Sequence, residues 1–244
     1  ERGAGAARMV EAGVLREEPA VDAIFALHAR PRVAPGRIEL SPVPSAASDA
    51  FTIRVLGTGC HAAYPPLGTD PIAIGCQIVT AMQQVVARQV APFDSAVVSV
   101  GSFHAGNRGN IIPAEAELQG TVRTRDPRVR KQVIAAVERI VTGCARALGG
   151  RAELQLRQGY PRVSNHPALT GLVKRVGLEL LGAGNVLDAT EATMGAEDFA
   201  FYLEEQGGVP GCLFRLGVES DAFVHTPTFD FGRDALAPGI LMAA

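Results

Sequence analysis

The sequence predicts an α/β protein in which a β-α-β-β-α-β segment interrupts a second, discontinuous α/β layer. Three observations predict this fold. Strand-like and helix-like patterns follow each other in that order in the middle of the chain, and the last third returns to alternating helix and strand. The 244 residues also leave room for two cores. We therefore divide the chain into residues 1–45 with 160–244 as one domain and residues 46–159 as the other.

The composition is that of a soluble globular protein, with 47% apolar and 20% charged residues. Because the formal charge is only -2 and charges of both signs are interspersed, no basic surface for nucleic acid or for a membrane is expected. No apolar run approaches the roughly 20 residues of a membrane span. The four cysteines lie far apart, which favours a reducing, cytoplasmic compartment.

The first 45 residues predict one helix and one strand. Apolar residues between Ala6 and Leu15 indicate a short helix after a Gly-rich start. Residues Val21–His28 form an apolar run rich in strand formers that ends in a histidine. The chain starts without an initiator Met and looks like the middle of a domain, so we expect the preceding strands of this domain to be missing.

The central segment gives the most regular pattern. Asp70-Pro71 and Asp126-Pro127 each combine an N-cap with a first-turn proline, and apolar stripes follow both. Strands are predicted at residues 51–56, 95–103, 114–124 and 152–156. This order is the split βαβ arrangement of a ferredoxin-like domain, in which two helices cover one face of a four-stranded antiparallel sheet. The uncovered face could pair with another subunit.

The last third predicts helices at residues 167–181 and 197–205 and a strand at residues 212–218. Five histidines are the first candidates for chemistry in the whole chain. His28 ends an apolar strand, His225 lies in a proline-restrained loop, and His61 lies between a strand and a helix cap. His104 and His166 have the settings of structural or solvated residues.

Taken singly, none of these positions decides the function. In isolation, a satisfied core histidine is the favoured interpretation of His28, and helix capping explains the acidic pair Glu197-Asp198 better than catalysis does. Residues 106–113 have the composition of a hairpin turn. Spacing alone leaves these alternatives open.

The joint order of several segments resembles the N-acyl amino acid amidohydrolase and hippurate hydrolase family, relatives of aminoacylase and peptidase T. The segments are GxGxHAA at residues 57–63, DPI at 70–72, NxIP at 110–113, GTVRT at 120–124 and GxEDF at 195–199. Glu1 matches the second Glu of the family's PAEE segment, His28 its GLHV-type strand and His225 its HxPxFDF loop. The resemblance covers essentially the whole chain.

The resemblance implies an incomplete zinc-exopeptidase-like α/β/α catalytic domain with an inserted ferredoxin-like lid and dimerisation domain. It implies that Glu1, His28 and His225 bind metal, in a site that holds two divalent ions. Zn²⁺, Mn²⁺ or Ni²⁺ suits such oxygen and nitrogen ligands. The family's general base and its Cys-Gly-His-Asp segment are not in this sequence, so we expect the chain alone to be inactive.

The resemblance also implies how substrate is held. His61 and Asn110 match residues that the family contributes from a partner subunit to the scissile carbonyl, and Arg123 matches one near the substrate carboxylate. The expected protein is a homodimer that hydrolyses N-acetyl or hippurate-like N-acyl amino acids with a metal-activated water. A non-catalytic remnant that dimerises and binds a small molecule is the alternative.

Overall fold

The computed structural model describes residues 5–189 and 193–244. The helices are α1 Gly5–Glu11, α2 Pro71–Gln84, α3 Pro127–Ala147, α4 Pro167–Leu181 and α5 Leu236–Ala243. The strands are β1 Ile24–Pro31, β2 Ile38–Leu40, β3 Ala47–Leu56, β4 Cys60–His61, β5 Ala96–Ala105, β6 Ile111–Ile112, β7 Glu115–Thr124, β8 Arg151–Tyr160, β9 Val186–Asp188 and β10 Gly211–Val218. Short 3₁₀ and π turns connect several of them.

The chain forms two compact units. The inserted unit is Ala47–Gly159, and the discontinuous unit contains the chain before Ala47 together with Tyr160–Ala244. No helix in residues 5–189 and 193–244 is long and apolar enough to cross a membrane.

The inserted unit is built on a four-stranded sheet with the order β5-β7-β3-β8. β3 and β5 both run antiparallel to β7, and the main elements follow the order β-α-β-β-α-β. Helices α2 and α3 share one apolar core with the sheet. Its fully buried side chains include Ile53, Val55, Ile74, Ile78, Met82, Leu118, Val122, Val133, Val137 and Val141.

Both helices of the inserted unit begin where the sequence predicts. The Asp70 carboxylate accepts hydrogen bonds from the N–H groups of Ile72 and Ala73, at 2.8 and 3.4 Å. The Asp126 carboxylate accepts one from the Arg128 N–H at 2.7 Å. The hydrogen bonds from the Arg128 side chain and backbone lower the pKa of Asp126 to about 2. Each cap therefore satisfies backbone donors that a helix start leaves unpaired.

A buried ion pair joins three elements of the inserted unit, close to the first and last residues of its chain segment. Asp49 of β3 accepts hydrogen bonds from Arg130 Nε and Nη2 of α3, at 2.8 and 2.6 Å. The same carboxylate accepts the backbone N–H of Gly159 in β8 at 3.2 Å. The chain enters the unit at Ala47 and leaves it at Gly159, so this carboxylate fixes the entering and leaving strands to α3.

The discontinuous unit contains a mixed sheet with the order β1-β10-β2-β9. β1 runs parallel to β10, β2 antiparallel to β10, and β9 parallel to β2. β10 is apolar on both faces. Cys212, Phe214 and Leu216 face a core that includes Val173 of α4, whereas Leu213 packs against the 3₁₀ segment around Phe199. The central strand is therefore covered on both sides.

The side chain of Asn165 hydrogen-bonds to the backbone of β10 at Leu213, just beyond the residues that pair with β2. Its amide nitrogen donates to the carbonyl oxygens of Ser41 and Leu213, at 2.9 and 2.8 Å. Its oxygen accepts the N–H of Leu213 at 2.8 Å. Since β2 pairs with β10 only at Arg215 and Leu216, the asparagine amide extends the hydrogen-bond ladder past the end of β2.

We expect Asn165→Ala to lower the free energy of unfolding by about 2–3 kcal/mol, because the buried N–H and carbonyl of Leu213 lose their partner. Urea denaturation measures the change. Asn185→Ala is the matched control, because the Asn185 side chain makes one hydrogen bond, to the Leu181 carbonyl at 2.7 Å. Equal losses in the two variants would contradict the structural role given to Asn165.

Five predicted elements differ in the structure. β3 begins at Ala47, before the predicted residue 51, and β8 continues to Tyr160, past the predicted residue 156. β1 begins at Ile24 and continues to Pro31, so His28 lies inside the strand and does not end it. The helix predicted at residues 197–205 is two 3₁₀ turns, Asp198–Tyr202 and Glu204–Gln206. α1 ends at Glu11, before the predicted Leu15. β2, β9, α5 and the two-stranded ribbon of β4 with β6 are elements that the sequence patterns did not predict.

Candidate metal centre and substrate-contacting residues

His28 lies on β1, next to Arg215 of β10 in the parallel ladder. Its Nδ1 is 2.9 Å from the carbonyl oxygen of Ala29. Because a carbonyl oxygen only accepts, Nδ1 must carry the proton of this hydrogen bond. The other ring nitrogen, Nε2, then offers a lone pair in the neutral form. This is the arrangement of a metal-binding histidine whose second nitrogen is fixed by a backbone carbonyl.

His225 lies beside His28. The two imidazole centroids are 5.9 Å apart and the ring planes cross at 73°. The backbone of His225 has φ +65°, a left-handed conformation that costs a non-glycine residue about 1 kcal/mol or more. Strain of this kind concentrates at functional sites, where it aims a side chain. The structure thus brings together two of the three predicted metal ligands.

Glu197 is a third side chain at this position, and its place in the sequence predicted no role beyond capping. Its Oε1 lies 3.1 Å from His28 Nε2, and the two side chains are 25% and 28% exposed. Glu197 makes no cap hydrogen bond to the 3₁₀ turn that follows it. The carboxylate therefore faces the histidine.

Asp198, the other member of the acidic pair, anchors a different element. Its Oδ2 accepts the N–H of Ala6 in α1 at 3.0 Å. In the same 3₁₀ turn, the Tyr202 hydroxyl lies 3.1 Å from the Met9 sulfur. Burial, and then the charge of Asp198, raise the pKa of Tyr202. These contacts hold α1 against the 3₁₀ turn that directly follows Glu197.

The described residues fit part of a divalent metal site. Two imidazoles and a carboxylate are nitrogen and oxygen donors of the kind that Zn²⁺ and Mn²⁺ accept. Glu1, the remaining predicted ligand, lies outside the described residues. Within residues 5–189 and 193–244, no three His, Cys, Asp or Glu side chains are arranged closely enough to hold an ion by themselves. A complete site needs ligands beyond those described.

His61 and Asn110 are adjacent in the inserted unit, on the ribbon of β4 and β6. His61 pairs with Ile111, and the N–H of Ala62 donates to the Asn110 carbonyl at 3.0 Å. His61 and Asn110 are both exposed. The N–H of Ala63 donates to His61 Nδ1 at 3.1 Å, so the neutral ring carries its proton on Nε2. His61 therefore presents an N–H donor to solvent.

Arg123 lies far from this ribbon. It is the penultimate residue of β7, where it pairs with Ser48. β6 ends at Ile112, and two residues separate it from the start of β7 at Glu115. Arg123 lies eight residue steps along the extended strand from Glu115, a length of about 26 Å. The structure therefore brings together His61 and Asn110 but not Arg123.

The remaining histidines lie elsewhere. His104 is exposed on β5 opposite Glu117, and His166 precedes α4 without a side-chain cap.

The model of peptidase family M20/M25/M40 matches residues 1–244. An N-acetyl-L-cysteine deacetylase of Bacillus subtilis is 36% identical over 97% of this chain and 55% of its own length. An N-acetyldiaminopimelate deacetylase of Priestia megaterium is 35% identical over 92% of this chain and 59% of its own. A dinuclear metal-binding M20 peptidase of Bacillus subtilis matches with a TM-score of 0.81 and 30% identity, over 98% of this chain and 59% of that structure. The chain thus spans less than two thirds of these relatives.

Proposed function

Because this chain belongs to peptidase family M20/M25/M40, we propose that the gene product containing it hydrolyses the amide bond of N-acyl amino acids with a metal-activated water. The observation that carries the proposal is the contact of His28 with His225, in a chain that the family model matches throughout. The mixed α/β fold agrees with that of the M20 neighbours. Two relatives are described as deacetylases of N-acetylated amino acids, which supports the substrate class.

His28 and His225 are proposed to hold divalent metal together with Glu1 and ligands outside this chain. The similar Bacillus subtilis peptidase binds a dinuclear metal centre, which supports two ions here, with Zn²⁺, Mn²⁺ and Ni²⁺ as the candidates. Bound metal supplies a Lewis acid and a water molecule that loses its proton near neutral pH. The Ala29 carbonyl keeps His28 in the tautomer that leaves Nε2 available.

His61 and Asn110 are proposed to contact the scissile carbonyl. The Nε2–H of His61 is an exposed donor, and a donor aimed at a carbonyl stabilises the negative charge that develops on its oxygen. Arg123 is proposed to bind the substrate carboxylate, for which a guanidinium offers two parallel hydrogen bonds. These roles follow the family resemblance.

The positions of these residues within the inserted unit support a homodimer. His61 and Asn110 lie near one end of β7 and Arg123 near the other. An N-acyl amino acid is much shorter than the roughly 26 Å of strand between them. One substrate can thus contact all three only when they come from two protomers. We therefore propose the inserted unit as a ferredoxin-like lid and dimerisation domain.

Mixed dimers test this arrangement. His61→Ala and Arg123→Ala should each abolish most activity, whereas coexpressing the two variants should restore about a quarter of the parent activity, because mixed dimers keep one intact site. Hydrolysis of an N-acetyl amino acid by the purified mixture measures the recovery. Coexpressed His61→Ala and Asn110→Ala variants are the control. One protomer supplies both of these residues to a site, so each site of this mixed dimer lacks one of them and no activity should return. Equal recovery in the two mixtures would contradict the shared site.

A substrate panel tests the reaction itself. N-acetylcysteine, N-acetyldiaminopimelate and hippurate are incubated with the purified gene product supplied with Zn²⁺, Mn²⁺ or Ni²⁺, and the released amino acid is quantified. We expect hydrolysis of at least one N-acyl amino acid, and its loss in the His225→Ala variant. A protein that hydrolyses none of them with any of these metals would favour the non-catalytic alternative.

A further inference from the structure

We propose that Tyr64 contacts the acyl group of the substrate, and that it makes the site favour an aromatic acyl group over acetyl. The inference rests on the proposed function and adds a specificity-determining residue to it. Three features of the inserted unit support it. They are the contact of Tyr64 with His61, the exposed apolar side chains around His61, and the closed loop that contains both residues.

Tyr64 lies beside the imidazole of His61. The two ring centroids are 5.7 Å apart and the ring planes are tilted by 51°. This separation is typical of aromatic rings in contact. Tyr64 is nevertheless 61% exposed. Much of its phenol ring is therefore open to an apolar group that is bound next to His61.

Ile111 is a second exposed apolar side chain next to His61. The two residues pair directly in the antiparallel ribbon of β4 and β6, so their side chains project from the same face of the ribbon. Leu67, three residues after Tyr64, is also exposed. Neighbouring apolar side chains that stay exposed mark binding surfaces, whereas single ones do not. The N–H donor of His61 is thus accompanied by apolar groups.

The loop that contains His61 and Tyr64 is closed at its base. Thr58 and Thr69 exchange two backbone N–H to carbonyl hydrogen bonds, each 3.0 Å long. Inside the loop, the Tyr64 N–H donates to the His61 carbonyl at 2.8 Å, and the Tyr64 carbonyl accepts the Leu67 N–H at 3.0 Å. The backbone that carries the phenol ring is therefore ordered before a ligand binds, which favours binding.

The position of Tyr64 next to His61 indicates which part of the substrate it contacts. His61 is proposed to donate to the scissile carbonyl, and the acyl substituent is bonded directly to that carbonyl carbon. The amino acid lies beyond the amide nitrogen, and its carboxylate is proposed to bind Arg123 of the other protomer. A benzoyl ring can pack against the exposed phenol, whereas an acetyl methyl group covers little of it.

A residue that only holds His61 in place would behave differently from one that contacts the acyl group. Loss of His61 positioning lowers the hydrolysis of every N-acyl amino acid alike, whereas loss of an acyl contact changes the ratio between substrates. Tyr64→Ala removes the ring, and Tyr64→Phe keeps it without the hydroxyl. Phe93→Ala is the matched control, because Phe93 is a fully exposed aromatic residue between α2 and β5.

The test compares kcat/KM for the benzoyl and acetyl derivatives of one amino acid, the one that the substrate panel identifies as best. We expect the parent to prefer the benzoyl derivative, and Tyr64→Ala to lower the benzoyl-to-acetyl ratio about tenfold. Tyr64→Phe and Phe93→Ala should keep the parent ratio. A parent that prefers the acetyl derivative, or an unchanged ratio in Tyr64→Ala, would overturn this inference and leave the proposed function standing. A parent that hydrolyses neither derivative would overturn both.

Discussion

Replacing His28 and His225 together with alanine is expected to remove the divalent metal from the purified gene product. The two imidazoles are in contact, and one of them is strained into a left-handed backbone conformation. Each imidazole is a nitrogen donor, so their joint loss removes both of the described residues in the proposed ligand set. We expect the metal content to fall below one tenth of the parent value, because ligand removal exceeds the roughly 10–100-fold effect of losing a residue that only supports a ligand.

Mass spectrometry of the purified protein, after dialysis against metal-free buffer, measures this content. His104→Ala is the control, because His104 is exposed on β5 of the inserted unit. Its metal content should equal that of the parent. Full metal occupancy in the double variant would show that His28 and His225 are not ligands. The proposed site would then have lost its main structural support.

Asp49→Ala is expected to lower the free energy of unfolding by about 3–5 kcal/mol. The Asp49 side chain is 1% exposed and accepts hydrogen bonds from Arg130 and from the Gly159 backbone. Its removal leaves a half-buried guanidinium without its anion, and an uncompensated charge in a poorly solvated position is costly. Because β3, α3 and β8 meet at this carboxylate, the inserted unit should lose stability as a whole.

Urea denaturation compares this variant with Glu153→Ala. Glu153 also contacts arginines, Arg151 at 3.0 Å and Arg54 at 3.9 Å, but all three side chains are exposed. Water and salt screen such a pair, so its loss should change the midpoint little. Replacing Arg130 as well as Asp49 should cost less than the sum of the two single changes, because they form one interaction. Strict additivity would argue against the buried pair.

Local signals in the sequence predict most of the inserted unit. The helix starts at Asp70-Pro71 and Asp126-Pro127 and the buried stripe of Ile74, Ile78 and Met82 are all confirmed. Caps and amphipathic stripes depend on residues close together in sequence, and β5 and β7 differ from their predicted bounds by only one or two residues.

Elements that depend on distant partners were harder to predict. β2 and β9 have three residues each and form because they pair with strands elsewhere in the chain. β1 extends past His28 because its ladder with β10 continues to Pro31. The β4 and β6 ribbon has two residues per strand, too short for an alternating pattern. Such pairings come from tertiary contacts that local propensity does not encode.

The candidate site shows the same limit. The sequence singled out His28 and His225, and the structure places their ring centroids 5.9 Å apart. Glu197 was assigned to capping because acidic residues favour helix starts for local reasons. Its contact with His28 joins residues 169 positions apart. The GxEDF segment contained one hint of a further role. It has two adjacent carboxylates, whereas a helix cap needs only one.

The central claim is that the gene product hydrolyses N-acyl amino acids through bound metal, and metal depletion tests it most directly. The protein is stripped with a chelator until mass spectrometry finds no metal, and the hydrolysis of the best substrate of the panel is measured before and after adding Zn²⁺, Mn²⁺ or Ni²⁺. We predict that the stripped protein is inactive and that at least one of these ions restores hydrolysis. Full activity in the metal-free protein would contradict the claim.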